Sequence, residues 1–272
     1  MARSSPLLLG IVNITEDSFS DGGRYLDPAK AIAHARALLR DGADAVDLGA
    51  ASSNPDSEPV PPALEIERLA PVVAALKEDG AAISIDSFAT ETQAWALEQG
   101  VAYVNDIQGF ADPALYPKLA TSQAKLVVMH SIQGRGKATR EPGDPITIRD
   151  RIFRFFEARI AALAEGGIDR ARLILDPGMG FFLGTSPEPS LAVLRGLPEL
   201  RRAFGLPVLV SVSRKSFLRA ISGRDAGASG AATLTAELFA AARGADAIRT
   251  HDVGALRDAL TVGRALGQGF LP

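Results

Sequence analysis

Cysteine is missing from the 272 residues, so neither a disulfide nor a thiolate metal site can be part of this protein. Histidine occurs three times. His34 falls mid-helix by pattern and reads as a surface residue, which leaves His130 and His251, too few for a zinc centre. Long apolar runs are absent as well. The first hydrophobic stretch ends at Asn13, too short for a signal peptide or a membrane span, and the expectation is a soluble, cytoplasmic protein. There is no excess of basic residues, and a net charge of -3 argues against nucleic acid as the partner. The His-Glu-x-x-His pair, the Gly-x-Ser-x-Gly elbow, the P-loop and a dinucleotide fingerprint after the first strand are all lacking, which removes the common enzymes built on them.

What is present is regular. With 47% hydrophobic residues the chain can build a sizeable core. Short runs rich in Val, Ile and Leu occur at residues 7–12, 45–48, 82–85, 102–104, 126–129, 173–175, 208–212 and 247–249. Alanine- and leucine-rich segments of helical period separate them, among them residues 28–41, 62–78, 90–99 and 148–165. Asp27 before Pro28 and Asp112 before Pro113 are cap and first-turn pairs. Eight such units without a linker predict a single-domain (β/α)8 TIM barrel over residues 1–272, a fold that takes about 250 residues.

In that fold the site is built from the C-terminal ends of the strands. Here they supply Asn13, Asp47, Asp86, Asn105, His130, Asp176, Lys215, Arg249 and His251. Asp and Asn alone could be turn and cap residues, but capping has no use for Lys215, Arg249 or His251. These three follow strands seven and eight, where barrels commonly hold phosphate. Asp86, Asn105 and Asp176 are acceptors suited to a flat heterocycle with amino and ring N–H donors, and the lysine could meet a ring carbonyl. The predicted ligand is a heterocycle at one end and phosphate at the other. A metal would be Mg2+ held by oxygen ligands and the substrate's phosphates, with Asn13 the best protein ligand. His130 reads equally well as a packing residue and is left out of the catalytic set.

Four motifs carry a resemblance: Gly10-Ile-Val-Asn-Ile-Thr-x-Asp-Ser-Phe-Ser-Asp-Gly-Gly23, Asp176-Pro-Gly-x-Gly-Phe181, Ser213-Arg-Lys-Ser216 and Arg249-x-His251. Together and in this order they resemble the signatures of dihydropteroate synthase. The resemblance implies a pterin-binding barrel, usually a homodimer. It also implies the condensation of 6-hydroxymethyl-7,8-dihydropterin pyrophosphate with p-aminobenzoate to dihydropteroate and pyrophosphate by an SN1-like route. Carried over, it assigns the pterin to Asp86, Asn105, Asp176 and Lys215, with Asp47 supporting from below. Asn13, with Mg2+, and Arg249 and His251 take the pyrophosphate. Ser53, Pro55, Phe181, Phe182, Lys215 and Ser216 border the p-aminobenzoate pocket. The catalytic work falls to Lys215, Arg249, His251 and Asp86. The loops after strands one and two would close over the site and keep water from the cation.

The departures are specific. Relatives commonly read Ser-Thr-Arg-Pro-Gly where this chain has Ser52-Ser-Asn-Pro-Asp56, so Asn54 replaces an arginine that would touch pyrophosphate. Arg135, Lys137 and Arg140 on the fifth loop, expected to be mobile, are the substitutes at hand. In the first loop Glu16 stands where proline is usual. After Asp176 the chain reads Gly180-Phe-Phe-Leu-Gly184 instead of Gly-Phe-Gly-Lys. That form resembles the sulfonamide-insensitive, Sul-type enzymes, and Phe182 is expected to narrow the mouth of the aniline pocket, unless it packs as ordinary core. Two other readings stand beside this one: a pterin-binding methyltransferase barrel, which needs no pyrophosphate clamp, and a non-catalytic pterin-binding protein.

Overall fold

A computed structural model describes residues 5–15, 26–134 and 136–267. Glu16 and the rest of the first-loop motif, predicted as part of a lid, lie outside the described residues, as does Arg135. The elements run β1 (Leu7–Asn13), α1 (Pro28–Arg40), β2 (Ala45–Gly49), α2 (Pro62–Glu78), β3 (Ile83–Asp86), α3 (Thr90–Glu98), β4 (Tyr103–Asp106), α4 (Tyr116–Thr121) and β5 (Lys125–Met129). They continue with α5 (Ile148–Glu165), β6 (Leu173–Asp176), α6 (Glu188–Phe204), β7 (Leu209–Val210), α7 (Ser216–Ser222), α8 (Gly230–Ala242), β8 (Ala247–Thr250) and α9 (Val253–Leu266).

All strand pairs are parallel, in the order β6-β5-β4-β3-β2-β1-β8-β7. The Leu175–Val208 bridge and a hydrogen bond from Leu175 N–H to the Pro207 carbonyl (2.9 Å) join β6 to β7 and close the barrel. The expected strand at 208–212 is cut to three paired residues, Val208, Leu209 and Val210, because the chain turns away in a hydrogen bond from Lys215 N–H to the Val212 carbonyl, 3.1 Å. Two helices in series, α7 and α8, then lead to β8.

Helix starts follow the chemistry of orphan N–H groups. Asp27 accepts from Ala29 N at 2.9 Å and Asp112 from Ala114 N at 2.9 Å, although Pro113 opens a 3-10 turn before α4. The buried residues of α5 are Ile148, Ile152, Phe156, Ile160 and Leu163, a stripe of helical period laid against the barrel wall. His34 on α1 is half-buried rather than fully at the surface.

Strand alternation sorts the core into two. Outward residues such as Leu8, Val46, Ile85, Val104 and Leu126 pack under the helices. Inward residues Leu9, Ala45, Val127, Ile174, Leu209 and Ala247 form a separate apolar cluster in the barrel. Further along the same inward-facing series the residues turn polar. Register places Asn13 opposite Gly49, Gly49 opposite Asp86, and Asp86 opposite Asn105, one row across four neighbouring strands.

Candidate active site

The row opens onto a cavity of about 1040 Å3, counted out into open solvent, at the C-terminal mouth of the barrel. Of the strand-end residues, Asn13, Asp86, Lys215, Arg249 and His251 line it, and so do Ser53, Phe181, Phe182 and Ser216, which the resemblance assigned to the aniline pocket. Pro55 does not line it. Asp47, Asn105 and Asp176 do not line it either; all three are buried, Asp47 in the middle of β2 and the other two at the ends of β4 and β6.

Arg249 is the centre of the electrostatics. It springs from low in the barrel, opposite Leu9 on β1, while Asp47 lies opposite Ile11 and Asp86 shares the row of Asn13. Reaching toward the mouth, its guanidinium donates from Nε to Asp47 and from Nη2 to Asp86. It therefore bridges two acids rather than standing free as an anion clamp. Burial would lower its pKa, but Asp47, Asp86 and Asp176 together raise it above the ordinary arginine value. Asp86 is nevertheless pushed up by burial, with Asp47 adding to the effect against Arg249. Asp47 Oδ1 and Asn105 Oδ1 are buried without a hydrogen-bond partner.

Asp176 accepts from Gly178 N at 2.8 Å, and burial raises its pKa to about 6. The turn behind it needs glycine. Gly178 has φ +77, and a Cβ there would lie 2.3 Å from the His130 carbonyl oxygen. Lys215, at the start of α7, is brought down to about 8 by burial and by Arg249, against the pull of Asp176 and Asp86. Arg214 before it holds φ +58, and its N–H donates to Thr233 Oγ1 at 3.1 Å.

His251 Nδ1 lies 2.8 Å from Ser213 Oγ. Burial and the charges of Arg214, Arg249 and Lys215 hold its pKa well below the usual histidine value, so the ring is a neutral partner and not the switchable charge expected. A ring that accepts from Ser213 on Nδ1 keeps its proton on Nε2 as a donor. His130 is also neutral, lowered by burial to about 4, with Nδ1 3.2 Å from the Pro177 carbonyl and its ring edge-on to Phe155. It is absent from the cavity wall and reads as a packing residue.

The fifth loop is tied down rather than free. Ile132 N–H donates to the Phe182 carbonyl (3.0 Å), Ala138 N–H to the Ser53 carbonyl (3.0 Å) and Thr185 N–H to the Glu141 carbonyl (3.1 Å). Lys137 donates to the Ser57 carbonyl, and Arg140 pairs with Asp56. These basic residues staple the second loop and do not line the cavity, so the structure does not use them in place of Asn54. Phe182 belongs to the core and to the cavity wall together. It is 4% exposed and packs with Ile107, Met129 and Ala138, yet it also lines the cavity, with Lys215 Nζ 5.2 Å from its ring centre. Phe181 is the more open ring.

Thr15, Ser211, Arg214 and Arg219 also line the cavity, and strand-end reasoning missed them. Arg219 could have been found from its place one helical turn after Lys215 and Ser216. Among the described residues no group of three His, Asp or Glu side chains could hold a metal. Asn13 lines the cavity and carries one hard oxygen, which suits an ion that takes its other ligands from phosphate and water.

The description "Pterin binding enzyme" matches residues 9–251. A type-2 dihydropteroate synthase of Escherichia coli is 62% identical over 264 residues, covering 97% of each chain. Among solved structures, a Xanthomonas albilineans dihydropteroate synthase with 4-aminobenzoic acid superposes with a TM-score of 0.83 at 33% identity, covering 97% of this chain and 94% of that one. A Yersinia pestis dihydropteroate synthase with a sulfonamide drug has a TM-score of 0.86 at 30% identity, covering 96% and 94%.

Proposed function

The chain belongs to the pterin-binding enzyme family, among its dihydropteroate synthases, and on that premise we propose that it joins 6-hydroxymethyl-7,8-dihydropterin pyrophosphate to p-aminobenzoate. The observation that carries the reading is the sorting of polar groups at one mouth. Buried acceptors, Asp176 and the unmet Oδ1 of Asn105, lie at the strand ends outside the cavity lining, while Lys215, Arg249 and His251 line it.

In this proposal the pterin's amino and ring N–H groups donate to Asp176 and Asn105, and Lys215 donates to the ring carbonyl. The methylene–oxygen bond breaks with both electrons leaving on pyrophosphate. The neighbouring carboxylates favour the cation left behind. Arg249 and His251 Nε2–H meet the departing oxygens. The aniline nitrogen then attacks the methylene carbon and releases its proton. Mg2+, held by Asn13 Oδ1 and by phosphate and water oxygens, would supply further charge neutralisation at the leaving group. The proposal also includes a homodimer, a cytoplasmic location and no nucleic-acid partner. No helix of the described residues is long and apolar enough to cross a membrane.

The test is pyrophosphate release that requires both organic substrates and Mg2+. No release with all three present would sink the reading. Sulfonamide insensitivity is the finer part of the proposal. In this reading Phe182, packed against Ala138 of the fifth loop and close to Lys215, narrows the mouth beside Phe181 and so rejects the substituent of a drug. Deleting Phe182 should restore inhibition in a variant that still melts cooperatively. A folded variant as insensitive as the parent would refute this.

A further inference from the structure

Two cationic side chains among the described residues lining the cavity, Arg214 and Arg219, have no part in the proposed reaction. Among the described residues lining it, Asp86 is the one carboxylate, and Arg249 already engages it. Lys215 faces Asp176 and Asp86. Arg214 and Arg219 also line the wall. Arg214 acts on His251 and on Glu237 of α8, so its charge belongs to the β8 side. Arg219 is placed differently. It stands on α7 three residues after Ser216 and four after Lys215, hence on the same helix face. Helical side chains lean toward the N-terminus, and the half-buried Arg219 lines the same cavity as Ser216, Phe181 and Phe182.

We propose that Arg219 receives the carboxylate of p-aminobenzoate and makes this pocket select an anionic aniline. The inference rests on the function proposed above and adds a residue that none of the four motifs contains. A guanidinium presents two parallel N–H donors to the two oxygens of a planar carboxylate. A sulfonyl group carries its two oxygens on a tetrahedral sulfur rather than in one plane with the ring, and holds less charge on them than a carboxylate. The same arginine therefore favours substrate over drug by chemistry as well as by space.

The experiment compares the wild-type chain with Arg219→Gln and Arg219→Lys in steady-state kinetics at saturating dihydropterin pyrophosphate. The varied aniline is p-aminobenzoate or its uncharged amide, 4-aminobenzamide. Arg219→Gln should raise KM for p-aminobenzoate about ten- to hundredfold, the loss expected for a charge-assisted hydrogen bond, with kcat nearly kept. Arg219→Lys should recover part of this. The amide, which has no charge to lose, should change less than about twofold. A merely structural arginine would affect both anilines alike, and that result overturns the proposal. So does an unchanged KM for p-aminobenzoate. A wild-type chain that releases no pyrophosphate would instead refute the enzymatic reading, which keeps the two failures apart.

Discussion

Glu237 lies on α8 behind β8, 1% exposed, with a hydrogen bond to Thr250 and an Oε1 that has no partner. Burial raises its pKa from 4.5 to about 8; Asp252 adds to the rise, while Thr250 and the charge of Arg214 oppose it. The folded chain therefore keeps a proton that the unfolded chain gives up around the ordinary glutamate value. Stability from this group is complete below that value and drains away as the pH rises through about 8. At about 1.4 kcal/mol per pH unit, the interval from 4.5 to about 8 is worth about 5 kcal/mol. Glu237→Gln keeps the shape and removes the titration. Urea unfolding at about pH 5 and about pH 9 should show the variant gaining about 4 kcal/mol on the wild type between the two, because part of the drain has begun by the lower pH. Asp106 and Asp176, both raised to about 6 by burial, act in the same direction but are common to both proteins and cancel. Parallel stability curves for the two proteins would refute the argument and mean that Glu237 is ionised in the fold.

Gly178→Ala should cost about 3 kcal/mol or more in thermal unfolding, since the new Cβ would lie 2.3 Å from a carbonyl oxygen at φ +77. Gly196→Ala, on α6 with nothing within 4 Å, is the control and should gain a few tenths to about 1 kcal/mol. The pH profile of kcat/KM for the pterin substrate should be bell-shaped. Activity should rise as Asp176 ionises near 6 and fall as Lys215 loses its proton near 8, and Lys215→Arg should move only the alkaline limb upward. Arg249→Ala leaves Asp47 and Asp86 together without their cation. It should destabilise by about 3–5 kcal/mol near neutral pH and recover in part on acidification, as Asp86, already raised by burial, takes up a proton, in calorimetry across pH.

The barrel was legible because its strands are buried on both faces and its helices on one, which gives runs and periods no surface loop imitates. The polar strand ends were legible for the same reason, as Asp86 and Asp176 interrupt runs that burial otherwise keeps apolar. Loop partners were not. Lys137 and Arg140 look like free cations in sequence, and only the fold shows them spent on Ser57 and Asp56, more than 80 residues away for Arg140. Phe182 was ambiguous because a ring between a loop and a cavity counts as core and as wall together, and sequence states neither contact.

Register is the deepest of the hidden variables, and Arg249 shows what it controls. Grouped by chemistry, this arginine goes with the anion end; in the structure it lies with the acids, 202 residues from Asp47 and 163 from Asp86. The strand pairing explains both. Because Arg249 starts level with Leu9, its side chain must pass Asp47 and the Asp86 row before it can reach a phosphate at the mouth. A heterocycle that donates to Asp86 competes with Arg249 for the same oxygens. Filling the acidic end and freeing the arginine toward the leaving group are then one exchange of partners. On the proposed function the cation would become available to pyrophosphate as the ring takes its place on Asp86; in the structure it neutralises Asp47 and Asp86 together.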